Sequence, residues 1–294
     1  MLRLALTLFF PLLLLAQDPQ QALAQQVSAM NSRLNSGTPG SQQIISDAQA
    51  LQTGYMGLGP MAGMGGFMMN RDLAQGTYSW LSRASSITSD PAARAAVLSA
   101  YGTVGDFYNR GNLNRPGAAW AYGGANRLAR GLVLGGGGGR NYERDLERYG
   151  LAWAAASYMG GQLFGPAFQT QPPQEGDQYP PPAPPTELQP VALPPIDEAT
   201  LTPEQKAAWP DLRNKFIATA AKVHEARVVL EQLTRRLESQ RMSLNTSDAA
   251  RALMMQGFLD DAVDLIKAKK FDEASEALTR SDYCRTKLKD VTGQ

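Results

Sequence analysis

Nine apolar residues, Trp209, Leu212, Phe216, Ala220, Val223, Ala226, Leu230, Leu233 and Leu237, recur at steps of three and four. Only an α-helix brings such positions onto one face, because its period is 3.6 residues. The run predicts a single helix of about 40 residues, roughly 60 Å long at 1.5 Å per residue. Thr202 and Gln205 form a capping box ahead of it, and Pro203 stands at the first helical position. Residues 244–247 read as a turn, and 248–268 and 271–291 as two shorter helices. One long helix and two short ones with tight turns predict a C-terminal three-helix antiparallel bundle over residues 204–294.

The last 40 residues carry a second pattern. Phe258, Ala262, Leu265, Ala274 and Leu278 alternate large and small, and Lys270-Phe271-Asp272-Glu273-Ala274 opens the second helix of the pair. The segment resembles one tetratricopeptide-type helical hairpin, over about one repeat of ~34 residues. Ser281 stands where that repeat carries alanine, and no second repeat is visible. As a local likeness of one helix pair, the resemblance implies peptide or protein binding.

The rest of the chain is built differently. Of its 28 glycines, 23 lie between Gly54 and Gly165, and residues 25–170 hold eleven arginines and no lysine. Helices are predicted at 41–53, 70–87, 91–109, 116–134 and 141–164. Asn70 caps the second of these, and Asp90 followed by Pro91 opens the third. Gly135 to Gly139 separates the last two, since each glycine costs a helix roughly 1 kcal/mol against alanine. No alternating strand pattern appears, so the expected fold class is all-α. Residues 171–203 contain 11 of the 19 prolines and read as a semi-rigid spacer. The expected layout is a signal peptide at 1–24, a Gly/Ala-rich helical N-terminal domain at 25–170, a Pro-rich linker at 171–203 and the bundle at 204–294.

The first 24 residues supply an address. Arg3 precedes the apolar run from Leu4 to Ala16, and Ala22-Leu23-Ala24 supplies an A-x-A cleavage pattern, with Ala16 as a second candidate exit. This is the layout of a secretory signal peptide. It predicts an exported chain, periplasmic or secreted. With no cysteine at the end of the signal, the lipoprotein form is not expected. Cys284 is the only cysteine, so an intramolecular disulfide framework is excluded; the thiol is either free or paired with another chain. The net charge of +1 gives no field for nucleic acid.

Candidate chemistry is sparse. Met56, Met61, Met64, Met68 and Met69 crowd a glycine-rich stretch that could hold Cu(I), or could serve as an adaptable apolar loop. Gly161 and Gly165 form a GxxxG beside alanine-rich stretches, a pattern that serves helix packing in lipid or in water. Trp80, Trp120 and Trp153 with neighbouring tyrosines could line a groove or fill a core. Arg140, Arg144 and Arg148 alternate with Glu143 and Glu147 as on a solvated face. His224 is the only histidine and has no partner at ligand spacing. Glu204, Glu225, Glu231 and Glu238 alternate with basic residues on the long helix, again as an exposed face does. No residue is assigned a catalytic, cofactor-binding or metal role.

The expected function is therefore non-enzymatic: an exported interaction or scaffold protein of the cell envelope or secretion route. It would bind a protein partner, or itself, through the C-terminal helices, with Trp209, Leu212, Phe216, Val223, Leu230, Phe258 and Phe271 as candidate partner-binding residues. Peripheral membrane contact stays open. The alternatives are a membrane-associated protein inserting its Gly/Ala/Met-rich segments and an envelope glycan-acting enzyme using a carboxylate pair.

Overall fold

The computed structural model describes residues 18–37, 39–58, 70–110, 115–135, 142–157, 188–240 and 242–292. Among them are ten α-helices and no strand. They are α1 (Pro19–Ser36), α2 (Ser41–Gly57), α3 (Arg71–Ile87), α4 (Pro91–Asn109), α5 (Arg115–Leu134), α6 (Tyr142–Ser157), α7 (Pro203–Ser239), α8 (Thr246–Lys267), α9 (Phe271–Thr286) and α10 (Lys289–Thr292). The all-α expectation is met. Residues 1–17 of the predicted signal segment, the glycine run after Gly135, the GxxxG and most of the Pro-rich segment lie outside the described residues.

The chain divides into two compact units, Met1–Leu113 and Asn114–Gln294. This differs from the sequence-based layout of 25–170 and 204–294. The reason is that α5 and α6 pack on each other and α6 packs on α8, which ties 115–157 to the C-terminal helices. Composition separated the Gly/Arg-rich part from the Lys-rich part, but shared core, not shared composition, defines a unit.

In the first unit α1, α3 and α4 start where the sequence supplies a side-chain cap, and α2 starts at Gly40 without one. Asp18 accepts the Gln20 N–H with Pro19 at the first position, Asn70 accepts from Asp72 and Leu73, and Asp90 accepts from Ala93. The principal pairings are α1 with α3 and α2 with α4. The α1–α3 pair runs parallel: Gln20 lies by Asn70, and Asn31 Nδ2 donates to the Gly76 carbonyl at 2.8 Å. Gly76 permits this approach, because a Cβ there would stand 3.0 Å from Val27 Cγ1. Leu23, Val27, Met30 and Leu34 form the buried stripe of α1, each such burial contributing about 1.5–3 kcal/mol. Helix α1 was not foreseen, because the signal peptide reading covered its first two turns.

Tyr55 sits at the centre of this unit. Its ring meets Phe107 edge-on at 5.1 Å, and its hydroxyl lies 2.9 Å from Thr77 Oγ1. Arg33 and Gln43 both donate to the buried Asp47 carboxylate on α2, at 2.6 and 2.9 Å. Burial is the main cause that pushes the Tyr55 phenol up from 10.0 to about 12.

In the second unit the capping box on α7 forms as expected. Thr202 N–H donates to Gln205 Oε1 at 3.0 Å, and Gln205 N–H donates back to Thr202 Oγ1 at 3.3 Å. The helix runs 37 residues, through Pro210, close to the predicted length. It lies parallel to α9: Gln205 reaches the Lys269 carbonyl, Trp209 stacks on Phe271, and Lys215 Nζ donates to Ser275 and Thr279. Because α8 and α9 are joined by only three residues and Ser281 Oγ donates to the Met255 carbonyl at 2.8 Å, that pair is an antiparallel hairpin. The Ser281 hydroxyl is fully buried and is satisfied by that backbone acceptor.

The α8–α9 corner is a Schellman-type end. Lys270 N–H donates to the Leu265 carbonyl and Lys269 N–H to that of Ile266, both at 2.9 Å, with Lys269 at φ 59°. The predicted last helix, 271–291, instead breaks after Thr286. Leu288 turns into the core, and its N–H bonds to the Arg285 carbonyl at 2.9 Å before α10 begins.

The Tyr55 phenol has a measurable consequence. With its folded value raised, its contribution to stability is complete below pH 10 and is lost as pH climbs toward 12. Absorbance at 295 nm during alkaline titration is expected to show a tyrosine fraction titrating near 12, which joins the ordinary tyrosines once the chain is unfolded in urea.

Candidate functional site

The seven candidate partner-binding residues all lie inside the second unit. Phe216, Val223, Leu230 and Phe258 are at most 1% exposed, and Trp209, Leu212 and Phe271 at most 7%. The stripe is thus a core face, covered chiefly by α9. Trp209 stacks on Phe271 with ring centroids 5.5 Å apart, and its indole N–H donates to Glu198 Oε1 at 3.0 Å. The periodicity located the helix face correctly, but it could not say whether the covering surface comes from this chain or from another.

A polar cluster joins α5 to α8 within the same unit. Arg130 is 5% exposed, and its guanidinium is satisfied on three sides. Nε and Nη2 donate to the Asp261 carboxylate at 2.6 and 3.3 Å, and Nη1 donates to Asn126 Oδ1 at 2.6 Å. Its Cζ lies 5.8 Å from the Phe258 ring centroid. Asn126 Nδ2 in turn donates to the Leu146 carbonyl, which carries the network onto α6. Gly257 makes room, since a Cβ there would come within 2.5 Å of the Arg130 guanidinium. One reason the sequence reading missed Arg130 is that its acidic partner is 131 positions away.

Two more charged residues, Asp260 and Arg227, interact with this cluster, and His224 lies on α7 one turn before Arg227. Burial lifts the Asp260 carboxyl above its ordinary range, although Gln256 donates to it at 2.7 Å and two arginines oppose the shift. Burial depresses Arg227, against the pull of Asp260 and Glu231. His224 presents a buried Nδ1 without a hydrogen-bond partner. Chemically, all three nitrogens of Arg130 already donate, to Asp261 and Asn126, so the side chain acts as a tie between helices.

Other sequence candidates fall as follows. Arg144 and Arg148 lie on α6, and Arg148 covers the Tyr149 ring at 5.3 Å; Arg140 is outside the described residues. Of the methionine group, Met56 ends α2 and is exposed, and the others are outside the described residues. Trp80 is fully buried. Among the described residues no group of three or more His, Cys, Asp or Glu could hold a metal ion. Glu204 is held below its ordinary range by hydrogen bonds at the α7 N-terminus, while burial raises Glu238, with Glu231 adding to it. Glu231 itself is engaged by Arg235 at 3.1 Å. An open cleft of about 250 Å³ lies where α7 starts, lined by Glu204, Gln205, Ala208, Lys269, Lys270 and Phe271 among others. Its lysines are engaged, Lys269 by Thr200 and Lys270 by Glu273.

No family model, curated protein or solved structure matches the chain.

Replacing Arg130 with leucine should cost about 3 kcal/mol in urea denaturation, because Asp261 then keeps a partly buried charge without its partner. Pairing Arg130→Leu with Asp261→Leu should recover most of that loss, and Gly257→Ala should mimic the single substitution by displacing the guanidinium. Cys284 offers an independent check. Burial pushes its thiol up from 9.0 to about 11, so its contribution to stability is complete below 9 and lost as pH rises toward 11. Alkylation at pH 8 should be slow in the folded chain and fast once it is unfolded.

Proposed function

We propose that this chain is an exported, non-enzymatic interaction or scaffold protein of the cell envelope or secretion route, and that it binds a protein partner through its C-terminal helices. The observation that carries the reading is the side-by-side stacking of helices in the second unit. Helix α5 pairs with α6, α6 with α8, α8 with α9, and α9 with α7. Such an array spends its inner faces on its own core and presents outer helix faces to solvent, which is how stacked helical hairpins bind peptides and proteins. The likeness of α8–α9 to a tetratricopeptide hairpin favours the same reading.

The burial of the α7 stripe moves the proposed contact from that stripe to the outer surface. Ile217 on α7 and Tyr283 on α9 are 51% and 61% exposed. The Gln205–Lys269 and Lys215–Thr279 contacts set the register of the parallel pair at a sequence offset of 64. Ile217 and Tyr283 are each a large apolar side chain left exposed on a helix whose inner face is covered, the kind of residue that can anchor a small interface.

The leader pattern that follows Arg3 supports export, and Cys284, buried and protonated, suits an oxidising compartment in which a free surface thiol would pair. The test is capture of partners from envelope extract with the full chain, beside Ile217→Asp/Tyr283→Asp. The double variant should retain its helicity and melting point while losing the captured partner or the self-association seen by light scattering. A wild-type chain that stays monomeric and captures nothing above a bare-resin control sinks the reading.

A further inference from the structure

We infer that the exported chain is cut between Ala16 and Gln17, so that residues 17–24 remain in the mature protein. The inference rests on the export reading above and decides between the two exits that the leader offers. By pattern alone Ala24 ranks first: Ala22 and Ala24 put small residues at both recognition positions, whereas Ala16 has Leu14 three residues into its leader side. The contacts of residues 18–23 reverse that order.

Three different ties hold this short stretch to the first unit. Asp18 is the N-cap of α1: its side chain accepts the Gln20 N–H at 3.0 Å, and its carbonyl accepts the Ala22 N–H at 3.0 Å. Gln20 is buried, and its Oε1 accepts the Asn70 N–H at 2.8 Å, at the very residue that caps α3. Leu23 is buried over Gly54, where a Cβ would stand only 2.3 Å from Leu23 Cδ1. The glycine in α2 is thus matched to a leucine that a cut after Ala24 would discard. Such a cut would delete the cap, leave the Asn70 N–H without Gln20, and empty the space above Gly54. It would also put a new ammonium group at Gln25, inside the helix and at the positive end of its dipole. A cut after Ala16 keeps every one of these contacts and sets the new ammonium group ahead of the Asp18 carboxylate. The Ala22-Leu23-Ala24 triplet is then part of α1 and not a cleavage signal.

The step is hydrolysis by a membrane leader peptidase. Water adds its hydroxyl to the Ala16 carbonyl carbon, the bond to the Gln17 nitrogen breaks, and the departing amine takes the proton. The products are an Ala16 carboxylate and a Gln17 ammonium.

The full chain should be produced in a bacterial host with a general secretion route, and the processed protein analysed by intact mass and N-terminal sequencing. The expected start is Gln17, free or cyclised to pyroglutamate. A start at Gln25 overturns the inference and leaves export standing. An uncut chain beginning at Met1 in the cytoplasm overturns export itself. Ala16→Glu should abolish processing, and Ala24→Glu should leave it unchanged; the opposite pair of results also overturns the proposal. Chains 17–294 and 25–294, made without export, give a second readout. The shorter is expected to melt at least about 4 °C lower, and equal melting removes the physical basis of the argument.

Discussion

The second unit depends on a guanidinium that donates from all three of its nitrogens. Arg130 leaves α5 held by Asn126 of its own helix and meets the α8 surface where Gly257 clears a path, against the Asp261 carboxylate and the Phe258 ring. A buried charge is tolerable only when its hydrogen bonds are complete. Here that requirement fixes the geometry in two directions. Asp261 and Phe258 define which residues of α8 lie opposite α5, and Asn126 passes the constraint to α6 through the Leu146 carbonyl. A slip of one turn between α5 and α8 would break the Arg130–Asp261 pair and leave a buried charge without its partner.

The same logic of close approach runs through the glycines. Gly76, Gly54, Gly123, Gly150 and Gly257 each face a side chain that a Cβ would press against. In a soluble helix a glycine costs stability by propensity, so a glycine in mid-helix needs a packing reason. At these positions the reason is a neighbour: Val27, Leu23, Trp153, Met254 or Arg130. With no disulfide to staple either unit, inter-helix distance is set by these small residues and by side-chain ties such as Arg33–Asp47 and Arg280–Glu143.

How much of this was legible in the sequence follows from the range of each interaction. Caps act over three residues, so Thr202, Asn70 and Asp90 marked helix starts correctly. The 3.6-residue period marked α7 and its buried face. Interactions spanning long stretches left no local trace. Nothing near Arg130 announces Asp261, and nothing near Gly54 announces Leu23. The division into units failed to follow composition for the same reason: α5 and α6 share glycine and arginine usage with the residues before them but share a core with those after them. Helix α1 was hidden by a different conflict, since an A-x-A triplet and a buried helical stripe can occupy the same residues.

That conflict bears on what the candidate site can be. A stripe such as Trp209 to Leu230 advertises an apolar face and says nothing about its cover, which α9 supplies from within the chain. Under the proposed function, with the inner face covered, partner recognition uses what remains: outer faces that carry isolated apolar residues such as Ile217 and Tyr283. Such surfaces bind through a few anchors and a polar rim, so their affinity rests on position more than on area. Ile217 and Tyr283 are held by helices whose mutual register is fixed by Lys215 and by the Trp209–Phe271 stack. Each therefore stands on a backbone as rigid as the core beneath it. An anchor held in this way needs little ordering on binding, the condition under which a single exposed apolar residue can support specific recognition.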